Sequence, residues 1–190
     1  MKQLLTLLTS LVFVLPAARL AAQPPAGFKP GYIVTADGLR QEGFIRENFK
    51  SKASFVFQTA AGKKTTFGGN AVNEVNVEGV TYISYANDFF KVISTGARAS
   101  LLQKVSDATG KVIYNGSEAA GISSGTEGRI NDTFIKTSAR AAFTLVSRDN
   151  LNEVISALFS DCPDILSAAK AGQFQYNELE QVITRYNACN

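Results

Sequence analysis

Cys162 and Cys189 are the residues of this chain whose chemistry the sequence predicts most directly, and they are its only two cysteines. Cys162 immediately precedes a predicted helix that begins at Pro163, and Cys189 follows the last predicted helix. If these two helices form an antiparallel hairpin, the sulfur atoms meet, so we expect a disulfide that stabilises the fold by about 3–4 kcal/mol on the chain-entropy estimate. A metal or redox pair is disfavoured because the spacing is long and the chain contains no histidine.

The lack of histidine excludes several catalytic designs that the letters of the sequence suggest. Residues 121–125 match the G-x-S-x-G nucleophile elbow, which needs a base, usually histidine, and a strand-to-helix turn. Ser167 and Lys170 spell S-x-x-K, which we interpret as the surface of a short amphipathic helix. Zinc, haem and copper sites built on imidazole are also excluded. We therefore predict no catalytic, cofactor-binding or metal-binding residues, no cofactor and no enzymatic activity.

Carboxylates are the remaining candidates for acid–base chemistry. Glycoside hydrolysis, for example, requires two of them facing each other across a cleft at a defined separation. Nothing in the sequence places a pair in this way, so solvated strand and turn positions are the favoured interpretation. The candidates are Glu42, Glu47, Glu74, Glu78, Asp88 and Asp107.

Residues 1–22 have the pattern of a secretory signal peptide. Lys2 provides the positive start, Leu4–Leu15 the apolar run, and residues 20–22 a cleavage site of small residues. The run is too short to span a bilayer comfortably, and no later apolar stretch reaches the length of a membrane helix, so no transmembrane segment is expected in the mature chain. Removing the signal also removes Lys2 and Arg19, which leaves basic and acidic residues nearly balanced and disfavours nucleic acid as a partner.

Residues 31–148 show short apolar runs of period two, separated by turn residues. No stretch of helix length interrupts them, as parallel pairing would require, so the sheet is expected to be antiparallel. Residues 23–30 are interpreted as a linker and residues 115–131 as a flexible loop. The predicted strands lie at 33–34, 44–45, 54–58, 65–67, 72–77, 80–85, 89–94, 99–105, 111–114, 133–136 and 142–146.

The period changes to 3.6 in the C-terminal segment, residues 149–190. A stripe from Leu151 to Phe159 predicts a first helix, with Asn150 and Glu153 as a capping-box start. The second helix begins at Pro163 and ends before Gly172, and a third carries apolar residues from position 179 to position 186. The predicted fold is α+β: an antiparallel β-sheet meander, as a sandwich or open barrel, followed by a helical segment packed on the sheet.

Several segments resemble secreted Bacteroidota proteins of uncharacterised function over most of the mature chain. The resemblance implies a periplasmic or envelope location and brings no known activity. The segments are Gly31-Tyr32-Ile33-Val34, Asp37-Gly38, Glu42-Gly43-Phe44-Ile45, Phe89-Phe90-Lys91-Val92-Ile93, Ser100-Leu101-Leu102, Asp161-Cys162-Pro163 and Tyr186-Asn187-Ala188-Cys189.

The sequence therefore predicts an exported, noncatalytic binding or structural module of the bacterial cell envelope. Its expected location is the periplasm or the cell exterior, with peripheral attachment to the outer membrane as a variant, and its partner an envelope protein or polymer. Two alternatives stay open: a carboxylate-dependent hydrolase acting on envelope polymers, and an inhibitor or chaperone that binds a secreted protein by strand addition. A deep cleft with two facing acids would favour the hydrolase, and an uncovered sheet edge would favour strand addition.

Overall fold

A computed structural model describes residues 23–115 and 118–189, so the predicted signal peptide at 1–22 lies outside the described residues. The strands are β1 Lys29–Thr35, β2 Arg40–Asn48, β3 Ser54–Gln58, β4 Lys64–Gly68, β5 Val72–Val77, β6 Val80–Tyr85, β7 Asp88–Ser94, β8 Ala99–Lys104, β9 Val112–Asn115, β10 Glu118–Ile122, β11 Thr133–Thr137 and β12 Thr144–Val146. The helices are α1 Phe49–Lys52, α2 Leu151–Leu158, α3 Pro163–Lys170 and α4 Leu179–Ala188, with a 3-10 turn at Tyr176–Glu178.

Ten of the strands form one open antiparallel sheet in the order β12-β11-β8-β7-β6-β5-β1-β2-β3-β4, and β9 with β10 forms a separate hairpin. Two meanders, β1–β4 and β5–β8, join where β1 pairs with β5. The predicted α+β class with an antiparallel sheet is confirmed. Within the described residues, no helix is both long and apolar enough to cross a membrane.

The β1–β7 half of the sheet curls on itself around an aromatic cluster. The ring of Phe49, from the single turn α1, lies at its centre, 4.6 Å from the ring of Phe89 and 4.8 Å from that of Tyr82. Gly31 and Gly43 permit the tight curl, since a Cβ on Gly31 would lie 1.9 Å from a backbone oxygen and one on Gly43 2.5 Å. The buried members are Ile33, Ile45, Phe49, Phe55, Phe57, Val72, Val75, Val77 and Phe89. We call this part the curled half.

The β8, β11 and β12 part of the sheet is covered by helices instead. Leu101 and Leu102 are neighbours on β8 and point to opposite faces: Leu101 packs against α2–α4, whereas Leu102 joins Phe90 and Phe134 in a small cluster on the other face. This confirms that the three predicted helices pack on one another and on the sheet. We call this part the helical half.

The predicted disulfide between Cys162 and Cys189 is present, with the two Cα atoms 6.1 Å apart. The end of α4 is also fastened to the sheet through Asn187. Its Oδ1 accepts hydrogen bonds of 2.9 Å from the backbone N–H groups of Arg98 and Ala99, and its Nδ2 donates to the carbonyl of Ala99. The helical half is therefore held by a covalent link and by side-chain bonds to the start of β8.

The structure differs from the predicted boundaries of the loop at 115–131 and of the linker at 23–30. Strand β10, Glu118–Ile122, lies inside the range predicted as a loop, 115–131, because its alanine and glycine residues hide the period-two pattern. Residues 116 and 117 of that range lie outside the described residues. The range predicted as a linker, 23–30, includes the start of β1 at Lys29 and the buried ring of Phe28.

The start of α2 is capped one turn earlier than the predicted pair of Asn150 and Glu153. The N–H of Ser147 donates to Asn150 Oδ1 at 2.7 Å, and the N–H of Asn150 donates to Ser147 Oγ at 3.3 Å. This reciprocal pair fixes the turn between β12 and α2 before the helix begins, and no side-chain hydrogen bond from Asn150 caps the helix itself.

Candidate functional site

A cleft of about 430 Å³ opens beside the curled half, between the end of β2, α1 and the chain that leads into β11. We call it the seam cleft. Its lining is mainly apolar, with a few polar side chains at the rim. The lining residues are Glu47, Asn48, Phe49, Lys50, Ser51, Tyr82, Val105, Ile130 and Asn131.

The single turn α1 builds one wall of the seam cleft. Asn48 ends β2, and Ala53, in the left-handed conformation with φ of 46°, turns the chain back into β3. Within this turn Phe49 is buried and forms the floor, while Lys50 and Ser51 are exposed at the rim. Because the aromatic cluster holds Phe49 in place, the wall is part of the folded core and is formed before any ligand arrives.

A carboxylate and a phenol meet inside the seam cleft. The hydroxyl of Tyr82 donates to Glu47 Oε2 at 3.3 Å, and Lys29 Nζ lies 3.7 Å from Glu47 Oε1 and 3.0 Å from Glu78 Oε2. Burial, followed by the charge and hydrogen bond of Glu47, raises the pKa of Tyr82 to about 12. The phenol therefore stays a neutral hydrogen-bond donor at physiological pH.

The seam cleft does not have the pair of carboxylates that the hydrolase alternative needs. Glu47 is the only carboxylate among the described residues that line it, and Glu78 is bound to Lys29. Among the described residues, no three histidine, cysteine, aspartate or glutamate side chains come together as a metal site would require.

The other candidate carboxylates are dispersed among local partners. Glu42 Oε1 accepts from Arg40 at 2.7 Å, and Glu74 Oε1 accepts from the hydroxyl of Tyr32 at 2.7 Å. Asp107 accepts at 3.0 Å from the N–H of Thr109 in its own turn. Glu42 and Asp107 therefore bond within their own strand or turn, whereas Glu74 on β5 bonds to Tyr32 on the neighbouring strand β1.

Asp88 belongs to a second polar group, which we call the buried clamp. It pairs with Lys104 on the neighbouring strand, Asp88 Oδ2 to Lys104 Nζ at 3.2 Å, and both side chains are 0% exposed. Lys104 Nζ also donates to the backbone carbonyls of Thr126, Glu127 and Gly128. The ammonium therefore ties the chain after β10 to the sheet.

The carboxylate of Asp88 is equally occupied. Oδ1 accepts from Ser106 Oγ at 2.9 Å and from the N–H of Ala108 at 2.7 Å. Oδ2 accepts from the N–H of Thr126 at 2.8 Å and from its hydroxyl at 2.7 Å. With all its hydrogen-bonding positions used internally, the buried clamp has nothing left to offer a substrate, and its role is to hold the chain.

The two serine motifs have no catalytic surroundings. Ser123 is buried, and its Oγ lies 3.0 Å from the N–H of Gly125 and 3.2 Å from Asn87 Nδ2, with no base beside it. Ser167 and Lys170 are both exposed on α3.

The seam cleft could not be predicted from the sequence. Glu47 and Tyr82 are 35 residues apart, and no local pattern in either segment predicts their contact.

The fold and these two sites define an α+β protein with an open antiparallel sheet, a lateral cleft and a disulfide-linked helical end. No family model, curated protein or solved structure matches this chain.

Proposed function

We propose that this protein is an exported, noncatalytic binding module of the bacterial cell envelope and that the seam cleft is its ligand site. The observation that supports this most is the cleft itself, about 430 Å³, with an apolar floor and a few polar groups at its rim. Small-molecule sites typically have roughly this volume and this lining. Phe49 and Tyr82 are fixed by the aromatic cluster, so the site needs little reorganisation to accept a ligand.

The polar groups of the cleft are suited to holding a ligand. Glu47 and the oxygen of Tyr82, whose proton is donated to Glu47, are hydrogen-bond acceptors, and the side chains of Asn48 and Asn131 provide donors. A phenol with its pKa raised to about 12 is poorly matched to proton transfer near neutral pH, because an efficient general acid or base has a pKa close to the working pH. These properties support binding without catalysis.

Two features support export and an envelope location. Residues 1–22 have the pattern of a signal peptide, and Cys162 and Cys189 are joined in a disulfide, which persists mainly outside the reducing cytosol. The proposed location is the periplasm or the cell exterior, with an envelope protein or polymer as the partner.

A fragment screen by NMR on the isotope-labelled mature protein tests the ligand site. The protein is expected to bind fragments saturably, with shifts of the amides of Phe49, Tyr82 and Ile130. Ser51→Trp, which places an indole at the rim of the cleft, is expected to abolish these shifts. Ser167→Trp, on the exposed face of α3, is the matched control and should keep them. Fragments that gather elsewhere, or that bind Ser51→Trp as well as the wild type, would contradict the proposal.

A second mode of binding, by strand addition, is favoured by a separate observation. Strand β4 lies at one end of the ten-stranded sheet and, among the described residues, pairs only with β3. The backbone of β4 therefore provides a second binding site, separate from the seam cleft.

A further inference from the structure

The two edge strands of the main sheet differ in length and cover. Strand β12, Thr144–Val146, has three residues and leads directly into the turn that precedes α2. Strand β4, Lys64–Gly68, has five residues, contains no proline, and is exposed at Lys64, Thr65 and Thr66. Natural sheets usually shorten, bulge or cover such an edge to prevent unwanted pairing. Of the two edges, β4 is therefore the one that offers backbone groups to a partner.

The hairpin between β3 and β4 shows which backbone groups face outward. The N–H of Thr59 donates to the carbonyl of Lys63 at 3.0 Å, and inward bonds alternate along an antiparallel pair. Thr65 and Phe67 therefore bond to β3, whereas the N–H and C=O groups of Lys64 and Thr66 point away from it. Their spacing of two residues is the one that an added extended strand requires.

The same region of the chain has a one-sided charge. Four lysines and no acidic residue occur between Glu47 and Glu74, and all four lysines are exposed. Lys63 and Lys64 supply the positive charge at the edge, whereas Lys50 and Lys52 lie on α1, where Lys50 lines the seam cleft. The lysines are Lys50, Lys52, Lys63 and Lys64.

An arginine on β2, the second strand in from β4, extends the positive charge on this side of the sheet. Arg46 on β2 lies 5.2 Å from the ring centroid of Phe28, and Lys64 Nζ lies 5.4 Å from the same centroid. The buried ring of Phe28 therefore holds two cations together beside β4. Exposed backbone groups and positive charge coincide at one place, and their complement is an extended chain that carries carboxylates.

We propose that β4 accepts an acidic, extended segment of another protein as an eleventh strand of the main sheet. Hydrogen bonds to Lys64 and Thr66 fix the register of the added strand, and its carboxylates face Arg46, Lys63 and Lys64. A second copy of this chain is the poorer partner because its own edge has the same positive charge. This site is separate from the seam cleft, so its failure would leave the proposed ligand site untouched.

Hydrogen exchange with two synthetic peptides tests the proposal. In one peptide glutamate alternates with threonine, and in the other lysine replaces every glutamate. At about 90% occupancy the acidic peptide is expected to slow exchange of the Lys64 and Thr66 amides about tenfold. The amide of Thr65, which already bonds to β3, should change little. The lysine peptide should protect neither outward amide at the same concentration.

Charge reversal tests whether binding of the acidic peptide depends on the lysines at the edge or on the net charge of the protein. Lys63→Glu with Lys64→Glu is expected to weaken binding of the acidic peptide about tenfold, since two attractions become repulsions. Lys136→Glu with Lys170→Glu changes the net charge equally at exposed sites on β11 and α3 and should leave binding nearly unchanged.

Three outcomes would overturn the proposal. The first is equal protection by the acidic and lysine peptides. The second is tight binding of polyphosphate at the lysines while the acidic peptide leaves the Lys64 and Thr66 amides unprotected, which would indicate an anion surface without strand addition. The third is protection that rises with protein concentration when no peptide is present, which would indicate self-pairing.

Discussion

The buried clamp and the seam cleft each combine a carboxylate with a hydrogen-bond donor, yet they serve different purposes. In the buried clamp, Asp88 and Lys104 are 0% exposed and bond fully to each other and to surrounding groups. In the seam cleft, the side chain of Glu47 is 31% exposed and its bond to Tyr82 is a long 3.3 Å. The fully bonded ion pair of Asp88 and Lys104 thus holds the structure together, whereas the weakly bonded Glu47 and Tyr82 face the proposed ligand site.

Asp88→Ala is the change with the largest expected effect, and it tests whether the buried clamp stabilises the fold. It leaves Lys104 buried without its counter-ion, so the free energy of unfolding should fall by about 3–5 kcal/mol in urea unfolding. Adding Lys104→Met should recover part of the loss because the uncompensated charge is then absent. A loss below about 1 kcal/mol for Asp88→Ala, which is typical of a surface pair, would contradict a structural clamp.

Replacing both Cys162 and Cys189 by serine tests whether the helical half can be weakened without touching the cleft. Closing this loop should contribute about 3–4 kcal/mol, and the double variant should lose that amount. Fragment binding at the seam cleft should persist at temperatures where the variant remains folded. If the folded variant lost fragment binding, the seam cleft would depend on the helical half, which would contradict the expectation that the two are independent.

Tyr82→Phe removes the phenol hydroxyl of the seam cleft and should have a small effect on stability. One partly exposed hydrogen bond contributes about 0.5–1.5 kcal/mol, far less than the clamp. Tyr85→Phe, on the opposite face of the same strand and stacked on Phe143, is the matched control. Fragment affinity is expected to fall in Tyr82→Phe alone. Equal affinities in both variants would show that the hydroxyl takes no part in binding.

Alkaline titration of Tyr82 has the smallest expected effect, and it reports on that phenol alone. Because the pKa of Tyr82 is raised from 10.0 to about 12 in the folded protein, its contribution to stability is fully present below pH 10 and is lost as the pH approaches 12. The tyrosinate absorbance of wild type minus Tyr82→Phe should therefore show a transition near pH 12. A difference transition near pH 10 would mean that the phenol is not held by Glu47 and burial.

The sequence was sufficient for most strands and helices and for the disulfide, for physical reasons that are local. Alternation such as Phe55 and Phe57 in β3 marks one buried face of a strand, and the stripe from Leu151 to Phe159 marks one buried face of a helix. The pairing of Cys162 with Cys189 followed from helix ends that an antiparallel hairpin brings together.

Other features depend on contacts between distant segments and left no local pattern. The pairing of β1 with β5 joins strands about forty residues apart, such as Ile33 with Val75, and strand order is decided by the whole sheet. In the sequence, nothing distinguishes Lys104 from other lysines in strands. Only the fold brings the carbonyls of residues 126–128 within hydrogen-bonding distance of its Nζ. The same holds for Glu47 and Tyr82, whose meeting creates the seam cleft.

Ligand binding at the seam cleft is tested by the dissociation constant of the best fragment from the screen, measured for the wild type and for the Glu47→Gln, Tyr82→Phe double variant. We expect the double variant to stay folded and its dissociation constant to rise about tenfold, equivalent to about 1.4 kcal/mol. An unchanged constant in a folded double variant would contradict the assignment of the seam cleft as the binding site.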